Sequence, residues 1–342
     1  MSIKTIIQPI AITAAVLLLA ACGSGSSGSN KGQLILGLTD GPVEKADSVV
    51  VQFTGIEMKP AGGPPMDPVL FDSASCDEFD STGACSIDLL TLTGDERKVV
   101  FNQDLEAGNY EWIRLLVNAE LNTMDSYISF EDGSMCSLYI PSGAQSGLKI
   151  VSGVTVTANG SSDYTMDFDV RKSITQPPGL AGPIGTPEMC AANYLMKPAI
   201  RIVDSTQVGT IAGTVPEALL SDSDVGCVQD ENLHYENVAV YVFENFDGGS
   251  MVLADDIDQD GAHADPVTTA SVEFDIDSNA YTYEAGFLLA PEDYLVALTC
   301  KSDFDFMDSD DFDPELATLQ DFNFIAEQVV TTVVNEIAPG SF

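Results

Sequence analysis

Apolar and polar residues alternate in short runs along most of the chain after residue 32, which is the period expected of β-strands with one buried face. Leu34, Leu36 and Leu38 alternate before the turn sequence TDGP at 39–42, and a second run rich in Val, Phe and Ile covers 48–58. Helical periodicity does not persist beyond a turn or two. The pattern therefore predicts an all-β protein.

Two dipeptides that favour the positive backbone angles of tight turns mark predicted hairpins. The hairpins join 127–130 to 135–140 around Asp132-Gly133, and 154–158 to 164–170 around Asn159-Gly160. Short strands separated by turn signals at this spacing are typical of an antiparallel β-sandwich.

The strand pattern stops and restarts near 204–208, which predicts a boundary between two domains. A Pro/Gly-rich surface loop at 177–187 and a last strand at 194–203 complete the first domain. Further strands are expected at 209–215, 238–243, 271–275, 281–288, 294–299 and 329–334. The length by itself also favours two cores. We therefore predict two antiparallel β-sandwich domains, 33–205 and 206–342.

The first 21 residues predict an export signal that ends at a lipidated cysteine. Lys4 gives a positive start, and 10–20 is an uncharged apolar run, too short for the ~20 residues that span a bilayer. The sequence LAAC at 19–22 resembles the lipobox of bacterial lipoproteins, in which Cys22 would become the acylated mature N-terminus. An ordinary secretory signal with an incidental cysteine is the alternative.

The lipobox resemblance implies an anchor of several fatty acyl chains, such as palmitate, because a single chain binds a membrane only marginally. Residues 22–32 then form a flexible Gly/Ser tether. Gly23 occupies the position where an aspartate would resemble an inner-membrane retention signal. The expected location is the outer membrane of a Gram-negative bacterium, with the folded part outside the cytoplasm.

The charge balance is strongly acidic and excludes nucleic acid as a partner. The chain has 53 acidic and 13 basic residues, a formal net charge of −40, and Lys301 is the only basic residue in 206–342. Nucleic acids and anionic head groups require basic contacts, which such a field opposes. At 45% hydrophobic residues the chain has enough apolar side chains to fold.

The cysteine count predicts disulfides. Seven cysteines become six once Cys22 is lipidated, and an even number is expected in an exported chain. Six cysteines allow 15 connectivities. Spacing favours Cys76–Cys85, Cys136–Cys190 and Cys227–Cys300, and the alternative is that some thiols are free.

Alternating aspartates followed by Gly261 form the best candidate metal motif. Their oxygens could converge on Ca²⁺ while the glycine permits a sharp turn, although the twelfth position is Val267 instead of glutamate. The candidate ligands are Asp256, Asp258, Asp260 and, as a substitute for the missing glutamate, Asp265. A solvated acidic loop is the alternative, and it is the preferred interpretation of the acidic run at 303–313.

Catalytic candidates are few. Asp167 and Asp169 share one face of a strand at ~7 Å spacing, as a glycosidase pair could, although neighbouring basic residues offer ordinary ion pairs. Trp112 could stack on a sugar if exposed, or be covered by the tether or the second domain. His234 and His263 lack a recognisable nucleophile partner, and no hydrolase, zinc-protease or redox motif is present.

One local pattern occurs in both halves. Leu105 precedes Tyr110, and Leu289 precedes Tyr294, by five residues, and each tyrosine opens a predicted strand. We expect a buried leucine and a tyrosine hydroxyl that fixes the turn.

Six segments of the first domain, in this order, resemble one family. They are LTDGPV at 38–43, DLL at 88–90, AGNY with IRL at 107–115, PSGAQSGLK at 141–149, DFDVRKSI at 167–174 and LMKP at 195–198. Residues 33–203 thus resemble the bacterial lipoprotein domain of unknown function 4382, from which the cysteine-bearing loops and the Pro/Gly insertion depart. Residues 209–335 more loosely resemble the transthyretin-like or carboxypeptidase-regulatory-like sandwich. These resemblances imply fold and anchoring, and no activity.

The sequence therefore predicts a membrane-anchored extracytoplasmic binding or structural module, with Ca²⁺ as the one candidate cofactor and a glycan or surface protein as the expected partner. A polysaccharide-acting enzyme that uses Asp167 and Asp169 is the alternative.

Overall fold

The computed structural model describes residues 30–41, 46–76, 78–130, 133–141, 147–175, 194–197, 199–223, 225–244, 246–247, 250–251, 265–305 and 324–342.

The described part of the first half is built from strands that follow the predicted alternation. They are β1 (Lys31–Gly41), β2 (Ala46–Pro60), β3 (Val69–Leu70), β4 (Glu78–Phe79), β5 (Cys85–Asp88), β6 (Lys98–Glu106), β7 (Gly108–Asn118), β8 (Tyr127–Phe130), β9 (Met135–Tyr139), β10 (Leu148–Ile150), β11 (Val154–Val156), β12 (Ser161–Asp169), β13 (Ile174–Thr175), β14 (Tyr194–Met196) and β15 (Ala199–Asp204).

These strands form two sheets that pack face to face. The first sheet has the order β15-β12-β1-β6, and the main path of the second is β10-β7-β2-β8-β9-β14-β13. The predicted alternation at Leu34, Leu36 and Leu38 places all three side chains in the core, fully buried. Across the core, the ring of Phe53 on β2 lies 6.2 Å from the ring of Phe168 on β12. The apolar faces of the two sheets thus bury one another.

The second half forms another sandwich. Its strands are β16 (Val208–Val215), β17 (Ala239–Glu244), β18 (Phe246–Asp247), β19 (Ser250–Met251), β20 (Thr268–Ser271), β21 (Glu273–Asp275), β22 (Ala280–Leu289), β23 (Asp293–Thr299), β24 (Ala326–Thr331) and β25 (Ile337–Pro339). The sheets have the orders β21-β22-β16-β25 and β20-β17-β23-β24, with β18 and β19 paired separately. The remaining short elements are helices Val170–Ser173 and Glu217–Leu220 and 3₁₀ turns Ser73–Ser75, Leu89–Thr91 and Ser302–Phe304.

The all-β prediction is confirmed. Most strand pairs are antiparallel, and among the described strands β1/β12, β9/β14 and β16/β25 are parallel. No helix in the described part of the chain is long and apolar enough to cross a membrane.

One predicted hairpin is confirmed and the other is wrong. β8 and β9 pair antiparallel across the turn at Gly133. Asn159 also has the expected positive φ, 56°, but β11 pairs with β7 in one sheet and β12 with β1 and β15 in the other. A turn dipeptide fixes a local change of direction, whereas the pairing partner depends on which sheet buries each strand.

Two predicted strands are each divided between the sheets of their sandwich. The run 194–203 becomes β14 and β15. Between them, Lys197 N donates to the Ser173 carbonyl (2.8 Å) and Ala199 N donates to the Ser173 hydroxyl (2.9 Å). The run 271–275 becomes β20 and β21, because Val272 N donates to Val238 O (2.8 Å) between them. These hydrogen bonds mark the crossings from one sheet to the other.

The tyrosine pattern is confirmed and half of the leucine pattern is wrong. Tyr110 Oη donates to Glu106 O (3.0 Å), and Tyr294 Oη donates to Leu289 O (3.2 Å). Leu105 is buried, but the side chain of Leu289 is 44% exposed. Leu289 therefore takes part in the turn through its carbonyl and not through a buried side chain.

Candidate binding groove between the two sandwiches

A buried arginine of the first sandwich extends into the second. Arg171 lies in the helix Val170–Ser173 and is 5% exposed. Its Nη1 donates to Ser302 O (3.2 Å) and its Nε to Thr269 Oγ1 (3.4 Å), while its guanidinium lies 5.4 Å from the ring centre of Tyr241. A buried charge is tolerated only with such partners. The contact therefore fixes the two sandwiches to each other.

The face of the second sandwich that receives Arg171 is apolar and buried. Tyr241 and Phe243 are 0% exposed, although they lie on the side of β17 opposite the core residue Val242. The ring of Phe324 packs edge-on against both, at 5.4 and 6.0 Å. Tyr241 Oη also donates to Asp305 Oδ2 (2.5 Å). β17 is thus buried on both faces, which explains its continuous apolar run.

A second contact between the sandwiches joins the loop 93–96 to β22. Asp95 N donates to Glu284 Oε1 (2.9 Å). A Cβ on Gly286 would lie 2.1 Å from Gly94 O, so this close approach of backbones requires glycine. The loop is therefore held directly against the second sandwich.

An open groove of about 600 Å³ lies beside this contact, and we call it the interdomain groove. Its floor is the outer face of β16 and β22, where small side chains such as Ala212 and Thr214 leave space, and one wall is the loop 93–96. Its volume is in the range of small-molecule sites. The described lining residues include four acids and no basic side chain: Asp95, Glu96, Glu273 and Glu284.

The carboxylates of the interdomain groove repel one another across the junction. Burial raises the pKa of Glu284, and the negative charge of Asp95 raises it further. A bound cation would relieve both effects because it stabilises the ionised form. The groove is therefore electrostatically suited to a ligand that carries amine or guanidinium groups.

The structure gives Asp167 and Asp169 roles at the junction. Asp167 is 4% exposed; its Oδ2 accepts from Arg201 Nε (2.7 Å) and lies 2.6 Å from Arg201 Nη2 in an ion pair. Asp169 is 7% exposed and caps the helix by accepting from Lys172 N (3.0 Å). Burial raises the pKa of Asp169. Two buried carboxylates with these partners do not form a cleft that admits a polysaccharide.

Trp112 is covered by two basic side chains of its own domain. It is 9% exposed, with Arg114 and Lys149 over its ring at 4.7 and 5.0 Å from the centre. Arg114 also pairs with Glu57 (2.7 Å). The indole therefore supports cation–π contacts on the outer face of the sheet and is not open for sugar stacking.

The described cysteines are all in disulfides. Cys76 is joined to Cys85, and Cys227 to Cys300, which are two of the pairs favoured by spacing. Cys136 is also disulfide-bonded, but Cys190 lies outside the described residues, so that pairing stays a prediction. Cys22 and its lipid likewise lie outside the described residues.

The calcium prediction falls mainly outside the described residues, which exclude Asp256, Asp258 and Asp260. Asp265 is described, and its Oδ2 lies 3.5 Å from Lys172 Nζ, another contact between the sandwiches. No group of three metal-ligating side chains occurs among the residues that the structure describes.

Of the two histidines, His263 is not described. His234 stacks on Phe274, with 4.4 Å between the ring centres.

Sequence reasoning missed the groove acids because nothing local marks them. Asp95 and Glu284 are 189 positions apart and meet only when the two sandwiches pack. A signal for the junction was available in the runs 238–243 and 294–298, which are continuously apolar and therefore indicate strands buried on both faces.

The fold defines an all-β protein of two sandwiches with a buried ionic junction. Residues 31–185 match the family model described as Domain of unknown function (DUF4382). The match overlaps the resemblance expected over 33–203, while the transthyretin-like resemblance of 209–335 stays an expectation. No curated protein matches the chain.

Two pilin structures are similar to the chain at very low identity. The minor pilin GBS52 of Streptococcus agalactiae is 11% identical, over 91% of this chain and 94% of that chain, with a TM-score of 0.17. The shaft pilin spaA of Lactobacillus rhamnosus GG is 9% identical, over 91% of this chain and 98% of that chain, also with a TM-score of 0.17. TM-scores this low say nothing about the function of the chain.

Proposed function

We propose that the chain is a membrane-anchored, extracytoplasmic binding module that takes an amine- or guanidinium-bearing ligand in the interdomain groove. The groove itself carries the proposal. It has the volume of a ligand site, its described charged side chains are all acidic, and both sandwiches contribute to it. Partners with complementary charge are attracted and oriented by such a site.

Rigidity of the junction supports the proposal. Arg171 holds one sandwich against the other, and Asp95 and Glu284 meet across the boundary. A groove whose walls are already fixed does not lose the free energy of ordering them when a ligand binds.

The binding experiment uses spermine and tetralysine as probes and the full mature chain in detergent. Glu273→Gln with Glu284→Gln should weaken binding about tenfold, because each change removes one groove charge. The matched control is Glu78→Gln with Glu231→Gln, which removes the same net charge at exposed positions outside the groove. Equal weakening by both pairs would contradict the proposal, since only the overall field would then attract the probes.

The anchor is proposed from the sequence LAAC at 19–22. Mass spectrometry should find fatty acyl groups on Cys22, and Cys22→Ser should move the chain from the membrane to the soluble fraction. An unmodified Cys22 thiol in a chain released freely to the medium would refute lipid anchoring and leave the groove proposal intact.

Calcium binding by Asp256, Asp258, Asp260 and Asp265 is a separate proposal, supported by the spacing of the motif. Ca²⁺ should raise the unfolding midpoint of the chain relative to chelator, because a ligand that binds the folded state stabilises it. Asp258→Asn should remove that difference. An unchanged midpoint of the unsubstituted chain would count against a stabilising site.

A further inference from the structure

β6 is an unusually long strand at the edge of a sheet. It has nine residues and pairs with β1 on one side, and no described strand pairs with its other side. The next longest strands that end one of the four larger sheets, β15 and β24, have six residues. A free edge exposes unpaired N–H and C=O groups that can pair with another extended segment.

A groove runs along the free edge of β6, and we call it the edge groove. It has a volume of about 310 Å³ and lies between β6 and the segment 69–74 of the opposite sheet. Two apolar side chains on its borders are exposed, Leu70 at 70% and Val99 at 41%. Strand addition uses main-chain hydrogen bonds for affinity and side-chain pockets for specificity, and both features occur here together.

The charge on this edge selects the partner. Asp104 and Glu106 are exposed on β6, and Asp72 lines the edge groove, whose described lining residues include no basic side chain. Residues directly opposite on paired strands have Cβ atoms ~4.5–5.5 Å apart, where opposite charges stabilise and like charges destabilise the pair. The net charge of −40 makes two copies of the chain repel each other, which disfavours a second copy as the occupant.

The pairing surface has a defined length. The register between β1 and β6 is regular from Lys31↔Glu106 to Leu36↔Phe101 and shifts between Leu36 and Gly37. Such a bulge twists an edge and terminates regular pairing. The regular part of the edge is therefore 101–106.

We propose that the edge 101–106 of β6 binds an extended segment of another protein, with basic residues opposite Asp104 and Glu106 and an apolar residue in the edge groove. The segment adds as a fifth strand to the sheet β15-β12-β1-β6. This inference does not depend on the interdomain groove.

The probe is a hexapeptide of alternating lysine and valine, measured by fluorescence anisotropy on the full mature chain in detergent. A control peptide of the same sequence carries N-methyl groups on alternate amides, which keeps its charge and removes main-chain donors. It should bind at least about tenfold more weakly, because strand addition needs those donors. Equal binding of the two peptides, or no binding of the first, would overturn the proposal.

Two protein variants locate the site. Asp104→Lys should weaken binding of the first peptide about tenfold, whereas Glu231→Lys, which changes the net charge equally at another exposed position, should weaken it about twofold or less. Equal effects would show an attraction by overall charge and overturn the proposal. Self-association of the chain that the peptide reverses would assign the edge to a second copy and also overturn the proposal.

Discussion

Replacement of Arg171 by Met tests whether this one side chain couples the two sandwiches. Methionine keeps an unbranched apolar stem of similar length and removes the guanidinium. Ser302 O and Thr269 Oγ1 lose a charged donor, and the ring of Tyr241 loses its cation. Packing of the stem is kept, so the loss reports mainly on the polar contacts.

The expected cost follows from those contacts. A hydrogen bond from a charged group contributes ~1.5–3 kcal/mol, and the bond to Thr269, at 3.4 Å, belongs at or below the lower end. The cation–π contact adds ~0.5–2 kcal/mol. Removing the guanidinium also removes the cost of burying its charge, which offsets part of these contributions. The free energy of unfolding should therefore fall by ~3 kcal/mol. Because 1 kcal/mol shifts the midpoint of a domain of 150–250 residues by ~2–4 °C, the second sandwich should melt roughly 6–12 °C lower.

Differential scanning calorimetry of the full chain measures this effect. We expect Arg171→Met to separate the unfolding of the two sandwiches into resolved transitions and to increase proteolysis at 205–207. Arg114→Met is the matched control, because Arg114 also has an ion pair and a ring contact, but on the outer face of the first sandwich. A midpoint within about 1–2 °C of the unsubstituted chain, without a second transition, would refute the role of Arg171.

Three further predictions concern the cross-links, a strand entry and the groove. Replacing both cysteines of Cys227–Cys300 by serine should cost ~4 kcal/mol, against ~3 kcal/mol for Cys76–Cys85, because their sequence separations are 73 and 9; denaturant unfolding that shows the reverse order would contradict this. Tyr294→Phe should lower the free energy of unfolding by ~1 kcal/mol, since the Leu289 carbonyl loses one of its two hydroxyl donors and keeps only Thr332 Oγ1; an unchanged urea midpoint would argue against it. Burial and the charge of Asp95 raise the pKa of Glu284 in the folded state. The stability that Glu284 contributes is therefore fully present below the ordinary glutamate pKa of 4.5, and it is lost as the pH rises through the raised pKa. Glu284→Gln should therefore be more stable than the unsubstituted chain at pH 7 and similar to it at pH 4; thermal unfolding with the same difference at both pH values would exclude this cause.

Local features were predictable where a single strand determines them. The alternation at 34–38 and the tyrosines at 110 and 294 depend on neighbours within a few residues, and the structure places them as expected. The second predicted hairpin failed because its strands are far from local in their pairing. Asn159 has the predicted φ, yet its flanking strands enter different sheets, because a turn does not encode the sheet that each strand will join.

The candidate groove was beyond sequence reasoning for the same reason. Glu284 and Asp95 are ordinary acids in their own segments, and only packing brings them together. Strand spacing permits Asp167 to act as a catalytic acid, but Arg201 on the neighbouring β15 pairs with its carboxylate.

The sequence by itself determined the all-β class, the strand periodicity and the strongly acidic surface, because composition and two-residue alternation act over short distances. Tertiary structure alone decided which strands share a sheet, that Arg171 joins the sandwiches, and where carboxylates of both halves face one groove. Those outcomes depend on how apolar faces bury one another across long separations, and the free energy of that burial is not encoded in any one segment.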